Sequence, residues 1–167
     1  MKFKPMTLLA VIALSISLVG CGSTKKKEVQ DNQTVASVGS DASSLELNAD
    51  SDSGKTGAIT SVFFGFNSSV LSTRTRETLN ANAEFLKANP SVEVQVEGHC
   101  DERGGVQYNL ALGERRAASV KEYLVAMGVA SSRVSTISFG KERPVAFGHD
   151  EGAWGQNRRG NFVITAK

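Results

Sequence analysis

The feature that most constrains this chain is a change of hydrophobic period near its middle. Between Thr73 and Ala88, the residues Thr75, Leu79, Asn82 and Leu86 fall on one helical stripe, with Thr78, Ala81, Phe85 and Ala88 beside it. Asn89-Pro90 stops that helix, because the proline ring disfavours the helical conformation in the residue before it. Val92, Val94 and Val96 then alternate with Glu93, Gln95 and Glu97, the period-two pattern of a strand with one buried face. Ser61–Phe66 reads as a short buried strand. Val106–Met127 reads as a second helix whose Leu110, Ala117, Val120, Leu124 and Met127 face the core, with Gly128 just past its end. Val134–Phe139 and Asn161–Ala166 read as two further strands, joined by a long Gly-rich connection around Trp154. Strands alternating with helices predict an α/β fold, an α+β two-layer sandwich in which helices cover one face of a mixed sheet. With 167 residues, 40% of them apolar and 22% charged, the chain suits one core plus appendages and excludes full disorder or a multi-span membrane protein.

The appendages are at the N-terminus. Lys2 and Lys4 precede an apolar run from Met6 to Val19 that is too short to span a bilayer and has the form of a secretory signal. Its end, Leu18-Val19-Gly20-Cys21, resembles the bacterial lipobox, where cleavage falls before the cysteine and the thiol receives a diacylglycerol. Two or more hydrocarbon chains, at about 0.8 kcal/mol per buried CH₂, hold a soluble domain on a membrane stably. Gly22 in place of an Asp favours sorting to the outer membrane, by analogy with enterobacterial rules. Residues 21–60 are dominated by Ser, Asp, Asn, Thr, Gly and Lys and read as a lipidated N-terminus followed by a flexible tether. As a coil, such a tether spans on the order of 35 Å, and roughly 130 Å if pulled straight. The compact domain is then expected over 61–167.

Chemistry is concentrated in the loop Gly98-His99-Cys100-Asp101-Glu102-Arg103-Gly104-Gly105, which leaves the clearest strand and enters the second helix. Ligands in open α/β sheets bind outside the carboxyl ends of strands. On the following helix, Asn109, Leu112 and Arg116 share a stripe, so a carboxylate, an amide, an apolar contact and a guanidinium can surround one small polar ligand. An acid that accepts from an ammonium and an arginine fork that grips a carboxylate suit a zwitterionic amino-acid headgroup. The bland alternative is that Asp101 and Arg116 pair with each other, or with Arg103 and Glu114, as surface ion pairs worth 0 to roughly 1 kcal/mol.

Four blocks at ordered intervals carry a resemblance: Gly98-His99-Cys100-Asp101-Glu102-Arg103-Gly104, Tyr108–Ala117, Ser138-Phe139-Gly140-Lys141-Glu142-Arg143-Pro144 and Asn157-Arg158-Arg159. They are similar to the OmpA-like C-terminal domain family over about residues 60–167, and with the lipobox and tether the whole chain resembles the outer-membrane lipoproteins of the Tol-Pal system. The resemblance implies non-covalent binding of peptidoglycan through the diaminopimelate side chain of its peptide. It also implies association with the TolB-like periplasmic propeller and other Tol proteins, a periplasm-facing position on the outer membrane, and a part in envelope integrity and division. Carried over by position, Asp101 and Arg116 match the family's ammonium- and carboxylate-gripping pair, Asn109 and Leu112 match supporting contacts, and Phe66-Asn67-Ser68-Ser69 matches the segment that completes the pocket. Two departures stand out: Asn67 replaces the usual Asp, and Cys100 the usual Thr. They motivate a rival reading, a protein-docking domain whose wall pocket has decayed.

Adjacent His99, Cys100 and Asp101 also raise a thiol-hydrolase or zinc reading. Consecutive residues at a strand end point apart, and the second histidine, His149, lies in a distant loop, so neither enzyme activity nor a metal or cofactor is expected. Arg158 and Arg159 are expected to brace acids or the sheet edge rather than to meet nucleic acid. Net charge does not discriminate: the precursor is +2, but beyond residue 20 the chain has 17 basic and 17 acidic residues. The anchor is directly testable, since Cys21→Ser should abolish incorporation of labelled lipid. Labelling that persists in that variant would refute the lipobox.

Overall fold

The computed structural model describes residues 45–167; the signal, Cys21 and the tether up to residue 44 lie outside the described residues. The elements are β1 (Val62–Phe63), α1 (Thr73–Ala88), β2 (Glu93–His99), α2 (Val106–Ala126), a 3₁₀ turn (Ser131–Arg133), β3 (Val134–Gly140), α3 (Glu151–Asn157) and β4 (Arg159–Ala166). The four strands form one mixed sheet in the order β1-β4-β2-β3. β2 and β3 are parallel and joined through α2, while β4 runs antiparallel to β1 and β2. The α/β architecture is the expected one.

The valine alternation sets the core. Val94 and Val96 are fully buried alongside Phe162 and Ile164 of β4, and Leu79 and Leu86 of α1 and Ala117, Val120 and Leu124 of α2 close over them. Each fully buried large aliphatic side chain contributes about 1.5–3 kcal/mol by leaving water. α1 begins at Ser72, whose hydroxyl accepts from the Thr75 N–H at 3.1 Å. The polar members of its buried stripe seal the outer edge of the sheet. Thr75 Oγ1 donates to the Phe63 carbonyl at 2.9 Å, and the Asn82 amide both accepts from the Thr60 N–H and donates to its carbonyl. A sheet edge closed in this way offers no backbone row to a stray strand.

α2 lies unusually close to β2. A Cβ on Gly98 would stand 1.9 Å from the Gly113 carbonyl oxygen, and one on Gly113 would stand 2.7 Å from the Gly98 oxygen and 2.2 Å from Ser138 Oγ. Only hydrogen fits between strand and helix at this crossing, which fixes the depth at which the next turn of α2 meets the end of β2. The helix accordingly buries Leu112, Gly113 and Arg116, while Leu110, expected in the core stripe, is only partly buried.

Two expectations are corrected. Residues 45–60 are not tether: Leu45, Ala49 and Ile59 are buried in the core, and residues 48–51 hydrogen-bond along β4 in antiparallel register, with Asn48 N–H on the Ile164 carbonyl and Ser51 N–H on that of Phe162, both at 2.9 Å. The segment is polar because only one row of it faces inward, so it lacks a long apolar period. Asp52 then pairs with the buried Arg159 at 2.6 Å. The second correction is α3, which falls inside the supposed Gly-rich connection; Asp150 caps it, accepting from the Ala153 N–H at 2.9 Å.

A chain beginning at Ser61 should therefore be much less stable than one beginning at Leu45. Loss of two large buried aliphatics costs on the order of 3–6 kcal/mol, equivalent to a fall in Tm of more than about 10 °C for a domain of this size. Equal melting temperatures would show that residues 45–60 contribute nothing to the fold.

Candidate functional site

The C-terminal end of β2, the segment after β1 and the first turns of α2 converge on a cavity of about 150 Å³. That volume suits the head of an amino acid rather than a drug-sized ligand. Phe66, Asn67, Asp101, Asn109, Leu112 and Arg116 all line it, so six of the eight pocket residues expected from sequence meet in one place. Ser68 and Ser69 lie outside the wall; Ser68 serves the site through its backbone. Arg103, Gly104, Tyr108 and Cys100 complete the lining and had no assigned role in the pocket, although all four sit inside motifs quoted for the resemblance.

Arg116 is entirely buried. Its Nε donates to the Ser68 carbonyl at 2.8 Å, Nη1 to that of His99 at 2.7 Å and Nη2 to that of Gly65 at 3.0 Å, and the guanidinium lies 5.1 Å from the Phe64 ring centroid. Burial lowers its hold on the proton, yet a guanidinium stays charged in proteins. Three of its five N–H groups are committed to carbonyls, which leaves donors for an anion in the cavity. No ion pair joins Arg116 to Asp101; the bland alternative is met in its other form, since Asp101 pairs with Arg103, but at a buried carboxylate and not at the surface. The Arg116 guanidinium also ties the segment after β1 to the end of β2, and replacing it would disturb the fold as well as the pocket.

Asp101 is 4% exposed and held from two sides. Oδ1 accepts from the Arg103 backbone N–H at 3.1 Å and from Arg103 Nε at 3.2 Å; Oδ2 accepts from Arg103 Nη2 at 2.6 Å and from Arg158 Nη1 at 3.3 Å. Burial works against ionisation, but these hydrogen bonds outweigh it and hold the carboxyl below its ordinary value. Asn109, 2% exposed, spends its amide N–H groups on the Arg103 and Gly105 carbonyls, bracing the loop and leaving its oxygen free to accept. Asn67 has φ of 50° and accepts from the Tyr108 hydroxyl; Asn tolerates this left-handed conformation well. Cys100 is buried, its thiol donating to the Asn109 carbonyl at 3.3 Å, and burial raises its pKa.

Aromatic rings border the mouth. The Arg103 guanidinium sits 4.1 Å from the Phe66 centroid and 4.0 Å from that of Trp154, sandwiched between the segment after β1 and α3. Trp154 Nε1 donates to Glu102 at 2.9 Å, and His149 pairs with the same carboxylate at 2.8 Å. Trp154 is thus a packing residue of the rim, whereas Phe147 is 82% exposed. Arg158 and Arg159 brace neighbours as expected, Arg158 reaching Asp101, Glu151 and the Phe64 carbonyl. Among the described residues, no group of three or more His, Cys, Asp or Glu is placed to hold a metal.

The two histidines should titrate in opposite directions, which checks these environments cheaply. The hydrogen bond to Glu102 raises the pKa of exposed His149 above the ordinary 6.5. Burial lowers that of His99, against the partial support of Glu97 at 3.3 Å. An NMR pH titration should show one imidazole titrating above 6.5 and falling back in Glu102→Gln, and one below. A single shared midpoint would contradict the geometry.

Comparison with known proteins agrees with this fold. Residues 63–158 match the OmpA family. The chain is 40% identical over 157 residues to a peptidoglycan-associated lipoprotein of Pasteurella multocida, covering 93% of this chain and 96% of that one. It is 39% identical to the protein of that description from Pseudomonas aeruginosa, covering 95% and 93%. The crystal structure of the peptidoglycan-associated lipoprotein from Burkholderia pseudomallei superposes with a TM-score of 0.60 at 42% identity, over 62% of this chain and 88% of that one. Likeness along nearly the full length of both sequences, on an OmpA-family domain, leads to one conclusion: the chain belongs to the peptidoglycan-associated lipoprotein family.

Proposed function

We propose that this protein is an outer-membrane lipoprotein that binds peptidoglycan non-covalently through the diaminopimelate side chain of its peptide. The observation that carries the reading is one small cavity whose wall holds both an ionised carboxylate, Asp101, and a buried guanidinium with uncommitted donors, Arg116. The terminal carbon of diaminopimelate bears an ammonium and a carboxylate together. The ammonium falls to Asp101 and the carboxylate to Arg116, with Leu112 against the aliphatic stem and the Asn109 oxygen available to the ammonium. Asn67 offers a neutral acceptor where the family has a charge.

The cavity binds rather than catalyses. Cys100 is its one nucleophile-bearing residue beside a histidine in sequence, and burial holds it as a thiol, whereas the reactive form is the thiolate. In this reading Cys21 carries the acyl anchor, residues 21–44 form the tether, and the domain faces the periplasm as the wall-binding member of the Tol-Pal system, where the TolB-like propeller is its protein partner. Among the described residues no helix is long and apolar enough to cross a membrane.

Titration of a diaminopimelate-containing muropeptide discriminates this reading from the protein-docking rival. The protein should bind, and Asp101→Asn should weaken binding ten- to a hundred-fold, the loss of a hydrogen bond to a charged group at about 1.5–3 kcal/mol. Absence of binding by the unaltered protein favours the rival.

A further inference from the structure

Asp101 has no vacancy in the unliganded protein. A carboxylate offers about four acceptor positions, and four donors already occupy them, three from Arg103 and one from Arg158. An incoming ammonium cannot reach Asp101 without displacing a donor. Of the two guanidiniums, that of Arg158 is 8% exposed and tied also to Glu151 and the Phe64 carbonyl, while that of Arg103 is 31% exposed at the mouth. Arg103 is the one free to yield. Its surroundings provide for that: Glu151 Oε2 already lies 3.9 Å from its Nη2, and the Phe66 and Trp154 rings form a slot in which a planar guanidinium can shift while keeping both faces covered.

We infer that Arg103 is the specificity-determining residue of the pocket, an internal cation that must be exchanged for the ammonium of the ligand. The inference rests on the wall-binding reading and deepens it. A ligand bearing only an amine would add a third positive charge to a cavity already lined by Arg103 and Arg116, with Asp101 the one acid among the lining residues. A ligand that brings its own carboxylate offsets that charge as it displaces Arg103. The exchange therefore selects an amino-acid head, a carbon carrying both ammonium and carboxylate, over a plain alkylamine such as a lysine side chain.

The test compares two muropeptides, one with diaminopimelate and one with lysine at the same position, binding to the unaltered protein and to Arg103→Gln, which keeps a hydrogen-bonding side chain but is shorter and carries no charge. The unaltered protein should prefer the diaminopimelate peptide by at least about ten-fold. In Arg103→Gln the preference should shrink to within about three-fold, through tighter binding of the lysine peptide. Arg103→Lys, which retains a charge, should keep the preference. An unchanged preference in Arg103→Gln overturns the inference, and so does loss of both peptides, which would make Arg103 a support for Asp101 rather than its competitor. A measurement without substitution stands beside it: the Arg103 Nε–H resonance should move when the diaminopimelate peptide binds, and a resonance that stays fixed overturns the exchange. Failure of the unaltered protein to bind the diaminopimelate peptide would instead remove the wall-binding reading itself.

Discussion

The structure depends on the contact between Gly98 and Gly113. With hydrogens in place of side chains, strand β2 and helix α2 touch backbone to backbone, at a spacing that leaves a Cβ on Gly98 only 1.9 Å from the Gly113 carbonyl oxygen. One helical turn beyond Gly113, Arg116 is delivered to the end of β2, where it meets the His99 carbonyl; one turn before it, Asn109 is delivered to the loop that carries Asp101. A helix held a methyl group's width further out would bring neither side chain into reach. The pocket is thus a consequence of how closely two elements pack, and its residues are buried because the packing buries them.

Within that frame, arginine is used as a structural fork as much as a charge. Arg116 binds three carbonyls from two chain segments, Arg133 spans the turn between α1 and β2 through the Val92, Leu86 and Asn89 carbonyls, and Arg158 joins Phe64 to Asp101 and Glu151. A planar group with five donors suits loop ends, which carry carbonyls without ladder partners. Arg103 and Arg158 concentrate positive charge on the Asp101 carboxylate, and Arg116 lines the same cavity. A pocket built like this is preorganised for an anion and guarded against a bare cation, which is why a zwitterion is the ligand that satisfies it.

Much of this was legible in the sequence, and the gaps have physical reasons. α1 was readable because a 3.6-residue stripe runs through it and Asn-Pro ends it, and β2 because its valines alternate. The loop after β2 and the stripe Asn109, Leu112, Arg116 pointed to the cavity, since spacing alone places them on one side of a helix. Residues 45–60 were unreadable as structure because they belong to a sheet edge whose partner, β4, lies more than a hundred residues away, and no local period records that pairing. α3 is short and contains two glycines, so propensity argued against it and only the Asp150 cap spoke for it. The saturation of Asp101 was hidden for a different reason: the sequence lists Arg103 and Arg158 as charges, but which lone pair each occupies is a matter of three-dimensional placement.

The most direct test of the central claim, that one cavity at the end of β2 holds the cell-wall peptide, is a map of backbone amide shifts as a diaminopimelate tripeptide is added to the protein. The account predicts changes confined to Gly65–Ser69, Cys100–Gly105 and the α2 turns from Tyr108 to Arg116, the segments that line or brace the cavity. Changes centred instead on the groove beside β1, around Ser51, Ser61 and Arg159, with the α2 amides unmoved, would contradict it.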